Sequence, residues 1–126
     1  MRGCRPAALA FALLVAVSSA TALESPDADT DALARLAAKG ERAAIVKLLD
    51  LARNGDAEAQ AQVGWIYYQG LVVQRNYPLA REWFDRAAAK DHAQAMNLLG
   101  HLYQEGLGIE QDYVQARRWY QQAAGK

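Results

Sequence analysis

This 126-residue sequence has little cysteine, serine and threonine, and no excess of either charge. Cys4 is the only cysteine, which excludes an internal disulfide framework and a cysteine-rich zinc site. Residues 31–126 contain no Ser, Thr or Cys, so the nucleophile of a serine or cysteine triad is missing from them. The 14 basic side chains equal the 14 acidic ones, which argues against a nucleic-acid-binding surface and against a polybasic membrane patch.

Few other groups in the sequence have catalytic potential. The two histidines are not spaced as metal ligands, so we expect no metal and no other cofactor. Glu82 and Asp85 lie one helical turn apart, as paired carboxylates for acid–base chemistry can. Because Arg81 and Arg86 flank this pair, the pattern favours a solvated, salt-bridged helix surface. The sequence therefore does not predict an enzyme.

The first 22 residues have the composition of a secretory signal peptide. Two arginines precede an uncharged stretch at residues 7–17, and small residues follow, with cleavage expected after Ala22 or Ala20. The alternative, an uncleaved anchor, needs roughly 20 apolar residues, and this stretch is shorter. We expect export to the periplasm of a Gram-negative bacterium, or secretion, and no membrane span after removal of the signal. Residues 23–30 are then an acidic, flexible leader.

The rest of the chain repeats itself. Residues 55–90 align with residues 91–126 without a gap, at an offset of 36 positions and with 13 identical pairs. Chance similarity between alanine-rich helices does not reproduce glycine and large aromatic residues at one offset, so the repeat is real. The diagnostic identities are Gly64/Gly100, Tyr67/Tyr103, Gly70/Gly106, Tyr77/Tyr113 and Trp83/Trp119.

Each repeat unit predicts two helices. In the first unit, Asp56 is a suitable N-cap for one helix, and Gly70 suits its C-terminus because glycine tolerates a positive φ. Asn76 is a suitable N-cap for the second helix, with Pro78 in its first turn. Apolar residues recur at steps of three and four, and no stretch shows the alternation of a strand. The predicted fold class is all-α.

Residues 31–54 resemble an incomplete unit. Two short helical patterns flank Gly40, and the second aligns with the second helix of the repeat at the same offset of 36. The aligned pairs are Ala44/Ala80, Leu48/Phe84, Leu51/Ala87 and Ala52/Ala88. Terminal repeats are often atypical because one face meets water, so we interpret this segment as a degenerate N-terminal cap.

The pattern Ala59-x-x-x-Val63-Gly64-x-x-Tyr67-x-x-Gly70, followed by Tyr77-x-x-Ala80-x-x-Trp83-x-x-x-Ala87-Ala88, resembles the Sel1-like repeat. This is a relative of the tetratricopeptide repeat with a longer loop between its helices. The resemblance implies a short right-handed α-solenoid of antiparallel helix pairs, whose first helices line a concave face. It also implies an adaptor or regulator, and small secreted bacterial members are common. One branch of the family acts on β-lactams but carries a disulfide in each repeat, which this chain lacks.

One position departs from the pattern. The second glycine of the loop is present in the second unit as Gly108, whereas the first unit has Val72. A β-branched residue is poorly suited to a positive φ, so the conformation of the first loop is left open.

The predicted binding site lies on the face of the first helices that the resemblance places in the groove. This face comprises Glu58, Ala61, Trp65, Tyr68 and Gln69 in one unit, and Gln94, Asn97, His101, Gln104 and Glu105 in the other. The two units share none of these residues, although their core positions match, and aromatic anchors beside amides suit peptide recognition. We therefore predict partner binding by Trp65, Tyr68, Ala61, Asn97, His101 and Gln104. The alternative is that Trp65 packs on the N-terminal cap or in a self-interface, while the position-matched aromatics are core.

Three functions of different classes follow from this sequence. The first is an exported helical-repeat module that binds a protein or peptide in its groove, without catalysis. The second is a self-assembling structural component of the envelope, which uses an open edge at the second unit to form a homo-oligomer. We expect that edge to expose Leu98, Leu102 and the outer side of Tyr120. The third and weakest is an enzyme of glycan or β-lactam chemistry.

Overall fold

The computed structural model describes residues 30–126, apart from the side chains of residues 31 and 32. The predicted signal peptide, and the acidic leader as far as residue 29, lie outside the described residues. The described chain forms six α-helices and no strand, which confirms the all-α prediction. The helices are α1 (Thr30–Ala38), α2 (Arg42–Arg53), α3 (Ala57–Gln69), α4 (Tyr77–Ala88), α5 (Ala93–Glu105) and α6 (Tyr113–Ala124). Each helix packs against the next, and α1 also reaches α3, so three helix pairs stack into a short solenoid.

The helix ends lie where the capping residues predict. The side chain of Asp56 accepts a hydrogen bond from the Ala59 N–H at 2.8 Å, and that of Asn76 accepts one from the Leu79 N–H at 3.0 Å. α3 ends at Gly70 with a φ of 66°, in the left-handed region that favours glycine. α5 ends in the same way, so the two units share their helix boundaries.

The two loops close alike but differ at one residue. The N–H of Asn76 bonds to the carbonyl of Tyr67 at 3.0 Å, and the matching bond exists in the second unit. Gly108 has a φ of 68°, whereas Val72 is not among the residues with positive φ and packs instead against the N-terminal core. A Cβ on Gly108 would lie 2.6 Å from Tyr77 Cβ. Glycine at 108 therefore also lets the second loop approach the start of α4.

The core consists of two neighbouring clusters in which alanine brings the helices close together. One cluster joins α1, α2, α3 and α4 and includes Leu33, Leu48 and Trp83. The other joins the two repeat units through Phe84, which is fully buried against residues such as Leu99. Because the second cluster spans both units, neither unit completes its core alone.

The matched aromatic residues are not all core. Trp83 is buried, but Tyr113 is 64% exposed, so the prediction that every position-matched aromatic packs in the core is wrong for Tyr113. The two tyrosines differ in their neighbours. Tyr77 packs against Tyr68 and against the loop of the second unit at Gly108. No described residue covers Tyr113 in the corresponding way.

Two further expectations are corrected. Leu102 is fully buried, because it points into the core between the units rather than onto an open edge. The surface of α4 does not form the expected salt bridges, since no ion pair among the described residues involves Glu82 or Asp85. The guanidinium of Arg86 lies instead over the ring of Trp83, 4.6 Å from its centroid. Burial raises the pKa of Asp85, and the charge of Arg81 partly opposes this effect.

Candidate partner-binding groove

Three of the predicted site residues lie together across the two units. The rings of Trp65 and Tyr68, on α3, stack with centroids 5.4 Å apart and an angle of 15° between their planes. The imidazole of His101, on α5, lies 6.1 Å from the ring of Tyr68. All three side chains are partly exposed. We call Trp65, Tyr68 and His101 the aromatic groove.

Tyr68 is the centre of this cluster. Its ring also meets the Tyr77 ring edge-on, with centroids 5.6 Å apart, and lies 6.4 Å from the Phe84 ring. Packing against these two rings fixes its position. Burial raises the pKa of Tyr68, and neighbouring Tyr77 adds to the effect, so the phenol is protonated at neutral pH. Packing holds the ring in place, and the residue stays partly exposed.

The other three predicted residues have different surroundings. Ala61 is only 4% exposed and belongs to the core between the units, so it offers no accessible contact. Asn97 occupies the matching position on α5 and is exposed. Gln104 lies one turn beyond His101 and accepts a hydrogen bond from the Tyr120 hydroxyl at 2.9 Å. Gln104 therefore extends the polar surface of α5 beyond His101, and Ala61 supports the groove from within.

Trp65 also borders the N-terminal helix pair. An open depression of about 230 Å³ lies between α1 and the end of α3, lined by Trp65, by apolar residues such as Ala34, Ile66 and Leu71, and by the polar residues Arg35 and Gln62. Leu71 is exposed, so this depression presents apolar surface to solvent next to the indole. Trp65 thus contributes both to the stacked pair and to a pocket large enough for one aliphatic side chain.

His92 has a role that the sequence reasoning missed. Its Nδ1 accepts a hydrogen bond from the Ala95 N–H at 3.2 Å and caps α5, while its Nε2 lies 2.6 Å from Glu58 Oε2. Burial acts to raise the pKa of Glu58, but hydrogen bonds from His92 and Gln62 outweigh it, so this pKa lies below its usual value. The signal was available, because the offset of 36 places His92 on the N-cap position of Asp56.

The outer face of α6 is a second exposed surface. Tyr113 and Val114 are more than half exposed there, beside a depression of about 420 Å³ lined by Ala116, Tyr120 and Gln104. In the first unit, the surface on which the second unit packs includes Ala61. The equivalent surface of the second unit is partly polar, because Asn97 stands at the matched position.

Among residues 30–126, no group of three or more His, Cys, Asp or Glu side chains is arranged to hold a metal ion. Within the same residues, no helix has the length and apolar character needed to cross a bilayer.

The sequence matches the model of the Sel1 repeat at residues 57–92 and 93–126, two adjacent segments that together cover more than half of the chain. The chain belongs to the Sel1 repeat family. Sel1 repeats are generally protein–protein interaction modules. The membership confirms the resemblance drawn from the repeated glycine and aromatic positions.

Two solved structures share the Sel1 fold of this chain. A Sel1 repeat protein from Oxalobacter formigenes has a TM-score of 0.73 and 23% identity, over 86% of this chain and 88% of that one. A protective antigen of uropathogenic Escherichia coli with an SLR fold has a TM-score of 0.68 and 29% identity. That match covers 76% of this chain but only 22% of the antigen. No curated protein matches the chain.

Proposed function

We propose that this Sel1 repeat protein is an exported adaptor that binds a segment of a partner protein in its aromatic groove, without catalysis. The observation that carries the proposal is the stacking of Trp65 on Tyr68 at 5.4 Å, with His101 of the next unit against the same ring. The pair of Trp65 and Tyr68 is not repeated in the second unit, because Trp65 corresponds to His101 and Tyr68 to Gln104.

The chemistry of the groove supports recognition of a peptide backbone. Trp and Tyr supply broad, rigid contact area with a hydrogen-bonding group at the edge, which is why both are frequent binding anchors. Asn97 and Gln104 add amides along α5, and the depression beside Trp65 has room for an apolar side chain. Together these features support the binding of an extended segment along the groove.

Export is part of the same proposal. Residues 1–22 have the charge, apolar stretch and small-residue site of a signal peptide. The site of action is then the periplasm or the exterior of the cell. Fractionation of cells that produce the full chain tests this, with a mass measurement on the exported form. Export with loss of residues 1–22 or 1–20 supports it, and recovery of the intact chain from the cytoplasm contradicts it.

The groove is tested by capture followed by direct binding. Residues 23–126 serve as bait in envelope extract, beside the variant Trp65→Ala/Tyr68→Ala/His101→Ala. A Tyr113→Ala bait is the matched control, because it removes an exposed aromatic outside the groove. All three baits must first show cooperative melting.

The proposal expects a protein that both the unaltered bait and Tyr113→Ala capture and that the triple variant loses. It also expects that the purified partner binds the triple variant at least about tenfold more weakly. Equal affinity of the purified partner for all three proteins contradicts groove binding.

Self-assembly is the second candidate, favoured by the exposure of Tyr113 and Val114 on α6. It expects that sedimentation of residues 23–126 shows oligomers that Tyr113→Glu/Val114→Glu disperses. The polar residue at Asn97, where the first unit has buried Ala61, favours solvent over a second copy on this face. We therefore rank self-assembly below the groove.

A further inference from the structure

Charge is segregated between the two kinds of helix in the repeat units. α3 and α5, which supply the groove, contain no Lys or Arg, and each carries one carboxylate, Glu58 and Glu105 respectively. The second helices α2, α4 and α6 together carry seven Lys and Arg against three Asp and Glu. The first helix of each repeat unit thus has one net negative charge, whereas α4 is neutral and α6 carries two positive charges.

Glu105 is close enough to the groove to act on its central ring. Burial is the main cause that raises the pKa of Tyr68, and the charge of Glu105 is among the smaller causes in the same direction. The side chain of Glu105 is exposed, so its charge faces solvent and an approaching ligand.

Glu58 contributes the second negative charge. Burial acts to raise the pKa of Glu58, but hydrogen bonds from His92 and Gln62 lower it below its usual value, so the carboxylate is ionised at neutral pH. The side chain of Glu58 is 41% exposed, which leaves it accessible to a cation.

The rings of this fold already accept guanidinium groups from the chain itself. Arg75 lies 5.7 Å from the centroid of Tyr77, and Arg86 lies 4.6 Å from that of Trp83. Arg75 lowers the pKa of Tyr68, whereas Glu105 raises it. The positive charge of Arg75 therefore also acts at the groove and opposes the binding of a cationic ligand. Arg35 takes part in an interaction within the chain and lines the depression next to Trp65.

We propose that the aromatic groove binds a basic segment of the partner protein, with Arg or Lys side chains paired to Glu58 and Glu105 and their stems on Trp65 and Tyr68. This inference rests on the proposed function. Glu58 lies in the first turn of α3 and Glu105 at the end of α5, so roughly 17 Å separates them along the helix direction. About five extended residues span that length. The bound segment therefore carries two basic residues about five positions apart.

The repeat supplies matched substitutions for the test. Glu58 corresponds to Gln94, and Glu105 corresponds to Gln69. Glu58→Gln/Glu105→Gln removes both charges with residues that the other unit holds at the same positions. Gln69→Glu/Gln94→Glu adds two charges in the same way.

The probes are three pools of short peptides, equal in length, with two Arg, two Gln or two Glu five positions apart and all other positions randomised among neutral residues. Binding to residues 23–126 is measured at low and at physiological salt. The inference expects the Arg pool to bind most tightly and to weaken as salt screens the charges. It expects a three- to tenfold loss, roughly, for Glu58→Gln/Glu105→Gln and a similar gain for Gln69→Glu/Gln94→Glu.

The outcomes separate this inference from the proposed function. Equal binding of the three pools, no binding of any pool, or an Arg-pool affinity unchanged by Glu58→Gln/Glu105→Gln overturns the basic-segment inference. In each case the groove itself is still judged by the captured partner and the variant Trp65→Ala/Tyr68→Ala/His101→Ala. Loss of the partner by that variant with no effect of the carboxylates retains the groove and rejects the charge preference.

Discussion

Gly64 of α3 lies directly against the ring of Phe84 of α4, so that a Cβ placed on Gly64 would fall 2.6 Å from Phe84 Cε1. The same relationship recurs one unit later, where a Cβ on Gly100 would fall 2.7 Å from Tyr120 Cε1. Phe84 is fully buried, whereas Tyr120 is partly exposed. Close contact between the two helices of each repeat unit thus depends on a residue without a side chain.

Substitution of Gly64 by alanine is expected to destabilise the fold. The added methyl group overlaps a ring that has no free space to move into, and overpacking of this kind costs about 1–3 kcal/mol. Gly100→Ala is expected to cost less, because the Tyr120 ring can shift toward solvent. Urea unfolding of the two variants measures the difference.

The double variant Gly64→Ala/Phe84→Leu is the control for this mechanism. The smaller side chain leaves room for the methyl group, so the double variant is expected to lose less stability than the sum of its two single variants. Additive losses mean that the overlap with Phe84 is not the cause.

Replacement of Asp91 by glycine is expected to stabilise the fold. Asp91 has a φ of 63° and matches Gly55, whose φ is 99°. Glycine removes the energetic cost of a positive φ, and this outweighs the loss of the exposed ion pair between Asp91 and Lys126. We therefore expect the free energy of unfolding to rise by about 0.5 kcal/mol. Lys126→Gln measures the ion pair alone. A lower melting temperature for Asp91→Gly than for Lys126→Gln contradicts this prediction.

Stability in acid is expected to depend on Glu58. Because the folded pKa of Glu58 lies below its unfolded value of about 4.3, its carboxylate stabilises the folded state above that value. That contribution disappears as pH falls through the folded pKa. The melting-temperature advantage of the unaltered chain over Glu58→Gln should therefore shrink between about pH 5 and pH 3.

His92→Asn tests the source of this acid dependence. Asparagine retains an oxygen that can cap α5 but loses the bond to Glu58. The dependence on Glu58 should weaken in this background. An undiminished effect of Glu58→Gln assigns the lowered pKa to another group.

Gln60 is expected to tolerate replacement by methionine with a gain in stability. It is 5% exposed, and its Oε1 is buried without a partner among the described residues. Its Nε2 bonds to the Ala52 carbonyl, which also accepts the Gly55 N–H at 3.1 Å and so stays paired. Because Met96 is buried at the matched position, Gln60→Met should raise the free energy of unfolding by about 1 kcal/mol. A decrease would show that the Gln60 side chain is better satisfied than its contacts indicate.

The sequence predicted the local structure because the determinants were local. Capping residues such as Asp56 and Asn76, and glycine at 70, act within a few positions of themselves. Self-alignment then transferred each assignment to the second unit. Gly64 and Gly100 were diagnostic of the repeat in the sequence, and the structure gives the physical reason, since each lies against a ring of the facing helix.

The repeat alignment failed where neighbours differ. Tyr77 and Tyr113 are identical in sequence, yet only Tyr77 meets a following loop. Leu102 was assigned to an edge because spacing alone does not tell which side of a helix meets the preceding unit. In the site, the grouping of Trp65, Tyr68 and His101 followed from spacing, whereas the burial of Ala61 required the packed structure.

The most direct test of the central claim is the indole N–H signal of Trp65 in an NMR titration with the purified partner. The three tryptophans give three such signals, which Trp65→Phe, Trp83→Phe and Trp119→Phe variants assign. Groove binding predicts that the Trp65 signal shifts in proportion to saturation, while that of buried Trp83 stays in place. If the protein is saturated with the partner and the Trp65 signal has not moved, the binding surface lies elsewhere on the solenoid.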